Sequence, residues 1–195
     1  MLLSIIFLKN PDLGLLEKLE NLKNFKKFSN ILKPFFKSMR KLPRETLLEK
    51  IQIDFVKVVR AMRKEDGIIP PYESLWRGEE RVMGNCSEEV LEFYKKSNIN
   101  FDFNGEAPDH LGVEFKFMSL LCYMERKKLK EKDCESVIKI KDMERMFYKK
   151  HLIKWAPLYL QKVEKEAETD FYKCFSILAN AFLRNEKIYF KDENN

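Results

Sequence analysis

The run Glu106-Ala107-Pro108-Asp109-His110-Leu111-Gly112-Val113-Glu114-Phe115-Lys116-Phe117-Met118 constrains the fold most, because it carries both a helix start and a buried helical stripe. Pro108 suits a first helical turn, where its missing N–H is not needed. Glu106 and Asp109 place negative charge where the helix dipole is positive. Leu111, Phe115, Met118 and Cys122 then recur at i, i+4, i+7 and i+11, one apolar stripe of a helix expected over about 108–130. His110 and Glu114 lie four apart on a neighbouring stripe, so their side chains can meet.

The same period recurs elsewhere, and no convincing alternating strand interrupts it. Asn10-Pro11 predicts a cap and first-turn proline for a helix to about Lys27, with Leu15, Leu16, Leu19 and Leu22 inward. Pro34 predicts a break in the apolar and basic stretch 28–40. Pro43 opens a helix whose stripe is Leu47, Ile51, Phe55, Val58 and Met62. Ser87 is expected to cap a helix to about Lys96. Glu135 to Trp155 is expected to be one helix stopped by Pro157, with 157–167 and 169–184 completing a bundle. Asp66-Gly67-Ile68-Ile69-Pro70-Pro71-Tyr72 cannot be regular helix, which predicts a hinge near 65–75 between two helical halves. Asn98 to Gly105 is a loop rich in turn residues, and the tail 191–195 is expected to fray. With 195 residues, 45% hydrophobic and 35% charged, the expectation is an all-α, single-domain helical bundle over 1–195.

Composition excludes several classes. Met1 to Leu8 is apolar but too short to span a bilayer, and it lacks the basic start and small-residue end of a signal peptide. A buried first helix is the simpler role, with no stable membrane insertion. Cys86, Cys122, Cys134 and Cys174 form no C-x-x-C pair; Cys122 on an apolar face reads as a buried thiol, and the cytoplasm is the natural compartment. The net charge is +6, yet residues 65–125 hold 13 acidic and 5 basic side chains, a net of 5 − 13 = −8, leaving +14 for the rest. A uniformly basic chain would suggest nucleic acid. An acidic central segment suggests a basic ligand there instead.

Asp109, His110 and Glu114 could in principle be catalytic or bind metal. A firm zinc site needs further ligands at recognisable spacing, and none appears; the other histidine, His151, lies in another helix. No phosphate loop, nucleophile elbow or diagnostic Cys/His spacing occurs. No metal, cofactor or catalytic residue is therefore expected. Taken alone, these residues favour helix-start charge and a satisfied buried imidazole. Tyr72 and Trp76 lie in or beside a Pro-rich loop, where large aromatics often line grooves. His151 and Trp155 are i, i+4 and share a face.

Three segments carry a family resemblance. Glu106 to Met118 resembles the central E-x-P-D-H-x-x-x-E-[FL]-x-[FM]-M motif of the TorD/DmsD/NarJ-type chaperones, which mature molybdenum-containing redox enzymes. Pro70-Pro71-Tyr72-Glu73-Ser74-Leu75-Trp76, followed by Glu79, Glu80 and Gly84, is similar to the family's Y-x-S-x-[aromatic] loop. His151-Leu152-Ile153-Lys154-Trp155-Ala156-Pro157 is similar to its H-L-x-x-W-x-P segment. Together they cover about residues 65–160. Leu3 to Asp12 resembles the later part of the family's first helix and its loop, without the usual preceding turns; either this helix is short or the true start lies upstream.

The resemblance implies a TorD-like helical bundle and reverses the structural reading of Asp109 and His110, which lie beside the second loop and are implicated in leader binding. It implies a non-enzymatic cytoplasmic chaperone. Its partners would be the twin-arginine signal peptide and the catalytic subunit of a molybdopterin oxidoreductase, whose cofactor insertion it assists and whose export it delays. Guanidinium groups favour carboxylates, and an apolar leader stretch favours an aromatic groove. The expected peptide-binding residues are Tyr72, Ser74, Trp76, Glu106, Pro108, Asp109, His110, Glu114, Phe117, His151 and Trp155. Monomer and domain-swapped dimer both remain open, since halves joined by a hinge can swap. The alternatives are a basic all-helical nucleic-acid-binding protein, which needs a continuous Lys/Arg face away from the motif, and a nucleotide-binding enzyme, which no phosphate loop supports.

Overall fold

The computed structural model describes residues 1–21, 26–60 and 68–192, with 26–29 and 187–192 as backbone alone. Its elements are α1 (Leu2–Leu8), α2 (Leu13–Glu20), α3 (Lys26–Lys41), α4 (Arg44–Val59), α5 (Glu73–Trp76), α6 (Asn85–Lys96), α7 (Leu111–Glu131), α8 (Cys134–Phe147), a π-turn (Tyr148–Leu152), α9 (Ile153–Glu166) and α10 (Asp170–Asp192). No strand forms among the described residues, as the 3.6-residue period predicts; one isolated antiparallel bridge joins Tyr72 and His110. The chain divides into two compact units, each assembled from separate stretches. One comprises Met1–Leu8, Pro71–Ala156 and Asn185–Asn195; the other comprises Lys9–Pro70 and Pro157–Arg184. The Pro70/Pro71 boundary falls in the segment expected to be a hinge, of which Asp66 and Gly67 lie outside the described residues.

In the unit containing the central motif, α1 packs on the start of α7. Gly112 makes this approach possible, since a Cβ there would sit 2.9 Å from Leu8 Cβ and 3.1 Å from Leu8 N. Phe7 and Phe115 face each other at 6.2 Å. A left-handed Lys132 (φ 58°) ends α7, and Asp133 caps α8 by accepting from Ser136 N at 3.1 Å. Hydrogen bonds from Ser136, aided by Lys128, hold the Asp133 carboxyl down at about 2. An aromatic core then forms around Phe117, with Tyr94 at 4.7 Å and Phe147 at 4.8 Å.

In the other unit, Phe35, Phe171 and Phe175 cluster, with Phe35–Phe171 at 5.3 Å. The buried Asp54 carboxylate accepts from Glu168 N (3.1 Å), Thr169 N (2.9 Å) and Thr169 Oγ1 (2.5 Å). It thereby satisfies the donors that the start of α10 would otherwise leave open.

Several sequence expectations are corrected. Asp12, not Asn10, caps α2, accepting from Leu15 N at 2.7 Å; α2 ends at Glu20, Leu22 to Phe25 of the expected longer helix lie outside the described residues, and Lys26 and Lys27 belong to α3. Pro34 does not break α3; it and Asn30, whose carbonyl loses its usual donor, are both exposed, so water can satisfy that oxygen. Pro108 precedes α7, whose cap is His110. Ser87 lies inside α6, which Gly84 caps. The expected 135–155 helix is α8 plus the π-turn, and Pro157 falls inside α9. The wide turn at 148–152, in which Ile153 N reaches back to Tyr148 O, shifts the hydrogen-bond ladder just ahead of Pro157, a local adjustment of the kind that accommodates a helical proline. Cys122 is half-buried rather than buried. Lys191 and Asp192 of the expected frayed tail belong to α10, and 193–195 lie outside the described residues.

Candidate functional site

The site grows from one backbone pairing. Leu111 N donates to Pro71 O at 2.8 Å and Glu73 N donates to Asp109 O at 2.9 Å, clamping the Pro-rich loop along the entry to α7. His110 fixes that entry by accepting from Gly112 N through Nδ1 at 3.0 Å. The fully buried Asp109 carboxylate then tethers two elements. It accepts from Ser74 N at 2.9 Å, closing the start of α5, and from the hydroxyl of Ser87 on α6. Ser87 in turn accepts from Met83 N at 3.2 Å.

Glu73 is the second buried hub. It accepts from Arg77 Nη1 at 3.0 Å and pairs with His151 Nδ1 at 2.9 Å across the unit. Glu114 is also fully buried and accepts from Trp155 Nε1 at 3.3 Å. Burial pushes the Glu114 carboxyl well above the usual range, and the negative charges of Glu73 and Asp109 add to the shift. Glu114 Oε1 is buried without a hydrogen-bond partner. Ser74 Oγ and His151 Nε2 are likewise buried without a hydrogen-bond partner. This crowding of carboxylates and spare polar atoms departs from the satisfied pattern of ordinary interiors.

The nominated residues thus fall into two groups. Ser74, Pro108, Asp109, His110, Glu114, Phe117, His151 and Trp155 are all buried; Tyr72, Trp76 and Glu106 are half-buried. Tyr72 OH donates to Glu106 Oε2 at 2.8 Å, and its ring meets His110 edge-on at 5.0 Å. Phe117 belongs to the aromatic core rather than to the rim. Of the other acidic candidates, Glu79 accepts from Cys86 N at 2.8 Å at the start of α6. A Cβ on Gly84 would lie 2.2 Å from Glu79 Oε2, so a side chain there would push the Glu79 carboxylate from its present position. Glu80 is exposed, and so is Glu88, which the sequence did not single out.

The loop 98–103 borders a cleft of about 390 Å³ lined chiefly by Leu91, Tyr94, Ile99, Phe101 and Phe103. Lys116 Nζ ties this loop to α7 through Asp102 O (2.6 Å) and Asn104 Oδ1 (2.7 Å). Among the described residues, no group of three His, Cys, Asp or Glu is placed to hold a metal ion. No described helix is long and apolar enough to cross a membrane.

Sequence reasoning did not nominate Ser87, the second tether of Asp109, for the site. Nothing in the local sequence marks it, because its partner lies 22 residues away. Glu73 was visible as an acidic residue of the Tyr72 loop, but its contact with Arg77 was not anticipated and its link to His151 spans 78 residues.

Comparison with known proteins gives the class. The chain matches the family model of the nitrate reductase delta subunit over residues 15–161, and it belongs to that family, the NarJ/TorD-like group its three motifs resemble. It is 31% identical over 101 residues to the chlorate reductase assembly chaperone protein of Ideonella dechloratans, an alignment covering 49% of this chain and 51% of that one. It therefore spans about half the length of the curated relative it matches. Its fold is similar to a crystal structure described as that of a redox enzyme maturation protein from Archaeoglobus fulgidus, with a TM-score of 0.56 and 23% identity over 94% of this chain and 90% of the other.

Proposed function

We propose that this chain is a non-enzymatic assembly chaperone of the cytoplasm for a molybdenum-dependent oxidoreductase. It binds the twin-arginine leader of the catalytic subunit, or the subunit's apo form, delays export and leaves the subunit open for cofactor insertion. The supporting observation is the Asp109 bracket, which fastens the Glu73–Trp76 turn and α6 to the start of α7. Family membership over 15–161 includes every part of it.

The burial pattern refines how such a site works. Asp109, His110, Glu114, His151 and Trp155 act by holding the loops, not by touching peptide. Tyr72, Trp76 and Glu106, with the exposed Glu80 and Glu88, are the groups that meet it. The leader's arginines pair with those outer carboxylates, and an apolar residue of the leader enters the cleft beside Phe101 and Phe103.

Calorimetric titration with the client's leader peptide tests this. Replacing both leader arginines by alanine should weaken binding about tenfold or more, equivalent to ~1.4 kcal/mol, as should Trp76→Ala in the protein. Equal binding of the native and alanine leaders would reject leader recognition.

A further inference from the structure

The Tyr72–Trp76 loop already holds a guanidinium. Arg77, the residue after α5, turns its side chain back onto Glu73, a fully buried carboxylate. Its Nη1 donates to Glu73 Oε1 at 3.0 Å and to Cys86 Sγ at 3.3 Å, and stands 3.8 Å from Glu89 Oε2. Burial pushes the Cys86 thiol up, so that sulfur is neutral and the two glutamates supply the charge. The other oxygen of Glu73 is held by His151 Nδ1 at 2.9 Å, which fixes the carboxylate toward Arg77. The Arg77 side chain is 32% exposed and that of Glu89 48%. The place that Arg77 fills is therefore open to solvent at one end and closed by a buried carboxylate at the other.

Arg77 fills it incompletely. Both hydrogens of Nη1 are taken by Glu73 and Cys86, and the other three donors of the fork meet no acceptor among the described residues. A guanidinium grips carboxylates best with two prongs, and Arg77 is tethered only four residues from the carboxylate it serves. An arginine arriving from outside has no such tether, so its fork is free to serve the buried Glu73 and the outer Glu89 together. Glu89 has only a distant competitor in Lys150, whose ammonium is 4.0 Å away. A compact ammonium is the poorer occupant, since it lacks the planar fork.

We infer that Glu73 and Glu89 form a guanidinium subsite in which Arg77 is a resident stand-in, and that one of the leader's two arginines displaces it while the other meets the outer carboxylates. The occupant rests on the leader reading above; the subsite rests on its own residues. A resident competitor lowers apparent affinity in proportion to the time the place is taken. Removing Arg77 therefore moves two properties in opposite directions. Stability falls, because the buried Glu73 loses its cation, and leader affinity rises. An ion pair that only held the loop would lose both together.

The experiment uses the whole chain as wild type and Arg77→Ala. Thermal melts are compared in methylguanidinium chloride and methylammonium chloride at equal millimolar concentration. Arg77→Ala should melt below the wild type, and methylguanidinium should recover about half of the loss or more, methylammonium much less, with the wild type unmoved. Calorimetry should show the client's leader binding Arg77→Ala about fivefold or more tightly than the wild type, with no such gain for a leader whose two arginines are alanine. No recovery by methylguanidinium, or equal recovery by methylammonium, would overturn the subsite. Leader binding that is unchanged or weaker in Arg77→Ala would overturn the displacement. Should Arg77→Ala not fold, Arg77→Lys takes its place: it keeps the charge without the fork, so leader affinity should still rise, and equal or lower affinity overturns the displacement. The two readings fail separately. Equal binding of native and alanine leaders, with methylguanidinium recovery intact, rejects the leader as occupant and leaves the subsite; arginine-dependent leader binding without recovery does the reverse.

Discussion

The two units bury carboxylates in opposite ways. Asp54 takes three donors from Glu168 and Thr169 and closes the start of α10; it is a helix cap supplied from another helix. The central motif instead brings Glu73, Asp109 and Glu114 together, all fully buried, and leaves Ser74 Oγ, Glu114 Oε1 and His151 Nε2 without partners. Only the first arrangement is complete as a structural device. The second holds two loops in place at an electrostatic cost, which is how recognition sites commonly differ from stabilising networks.

The sharpest break of that comparison is Asp54→Ala against Asp109→Ala. Asp54→Ala removes one charged acceptor from three part-buried hydrogen bonds of Glu168 and Thr169 and should destabilise its unit by about 3–5 kcal/mol, without affecting leader affinity at temperatures where it is folded. Asp109→Ala strands Ser74 N and Ser87 Oγ but also removes a negative charge beside Glu73 and Glu114, so it should cost less, about 2–3 kcal/mol, while weakening leader binding. Denaturant titration and calorimetry measure both. If Asp109→Ala proved the more destabilising and left leader affinity unchanged, the motif would be a second structural cap and the contrast would collapse.

Glu114 offers a pH test. Its folded pKa is raised above that of the unfolded chain by burial and by its acidic neighbours. Below about pH 4.3 both states hold the proton and the group is neutral in its effect. As pH rises, the unfolded chain releases its proton first, so this group removes stability progressively until the folded pKa is passed. The slope is at most about 1.4 kcal/mol per pH unit for one proton. Glu114→Gln keeps an acceptor for Trp155 Nε1 and cannot ionise, so the variant should lose less stability between pH 5 and 8 than the wild type. Parallel pH profiles for the two proteins would remove Glu114 as the strained member of the cluster.

Much of this was legible from local pattern. Leu47, Ile51, Phe55 and Val58 of the expected stripe are buried on α4, while Met62 lies outside the described residues, and Leu111, Phe115 and Met118 are buried on α7, because an apolar helical stripe is written by residues three and four apart in sequence. The motif resemblance put Tyr72 and His110 in one expected site, and the backbone bridge between them is a finding of the structure. What local pattern misjudged was the proline positions. Pro34 and Pro157 are helix breakers by intrinsic preference, and solvent on one side and a π-turn on the other override it. The site's chemistry was partly hidden for a different reason. That Asp109 reaches Ser87 and Glu73 reaches His151 depends on how α6, α7 and the π-turn pack, and no spacing rule reports that. Burial was hidden too: eleven residues were nominated together, yet only Tyr72, Trp76 and Glu106 keep solvent access.

The smallest expected effect separates that rim from the buried bracket. Tyr72 OH donates to Glu106 Oε2 at 2.8 Å, and both residues are half-buried. Tyr72→Phe removes that donor while preserving the ring that packs edge-on against His110. The freed carboxylate stays within reach of water, so no stranded-group penalty applies and the stability change should be about 0.5–1 kcal/mol. Leader affinity should hold or rise slightly, because Glu106 Oε2 loses one competing donor to an arginine. A double-mutant cycle with Glu106→Gln measures the coupling directly. A coupling of about 0.5–1 kcal/mol for stability, with opposite signs of the two single changes for leader binding, would assign Tyr72 the orienting part and Glu106 the contact. If both single changes weakened binding equally and without coupling, the tyrosine hydroxyl itself would be the contact, and the division between holding and touching residues would have to be redrawn at Tyr72.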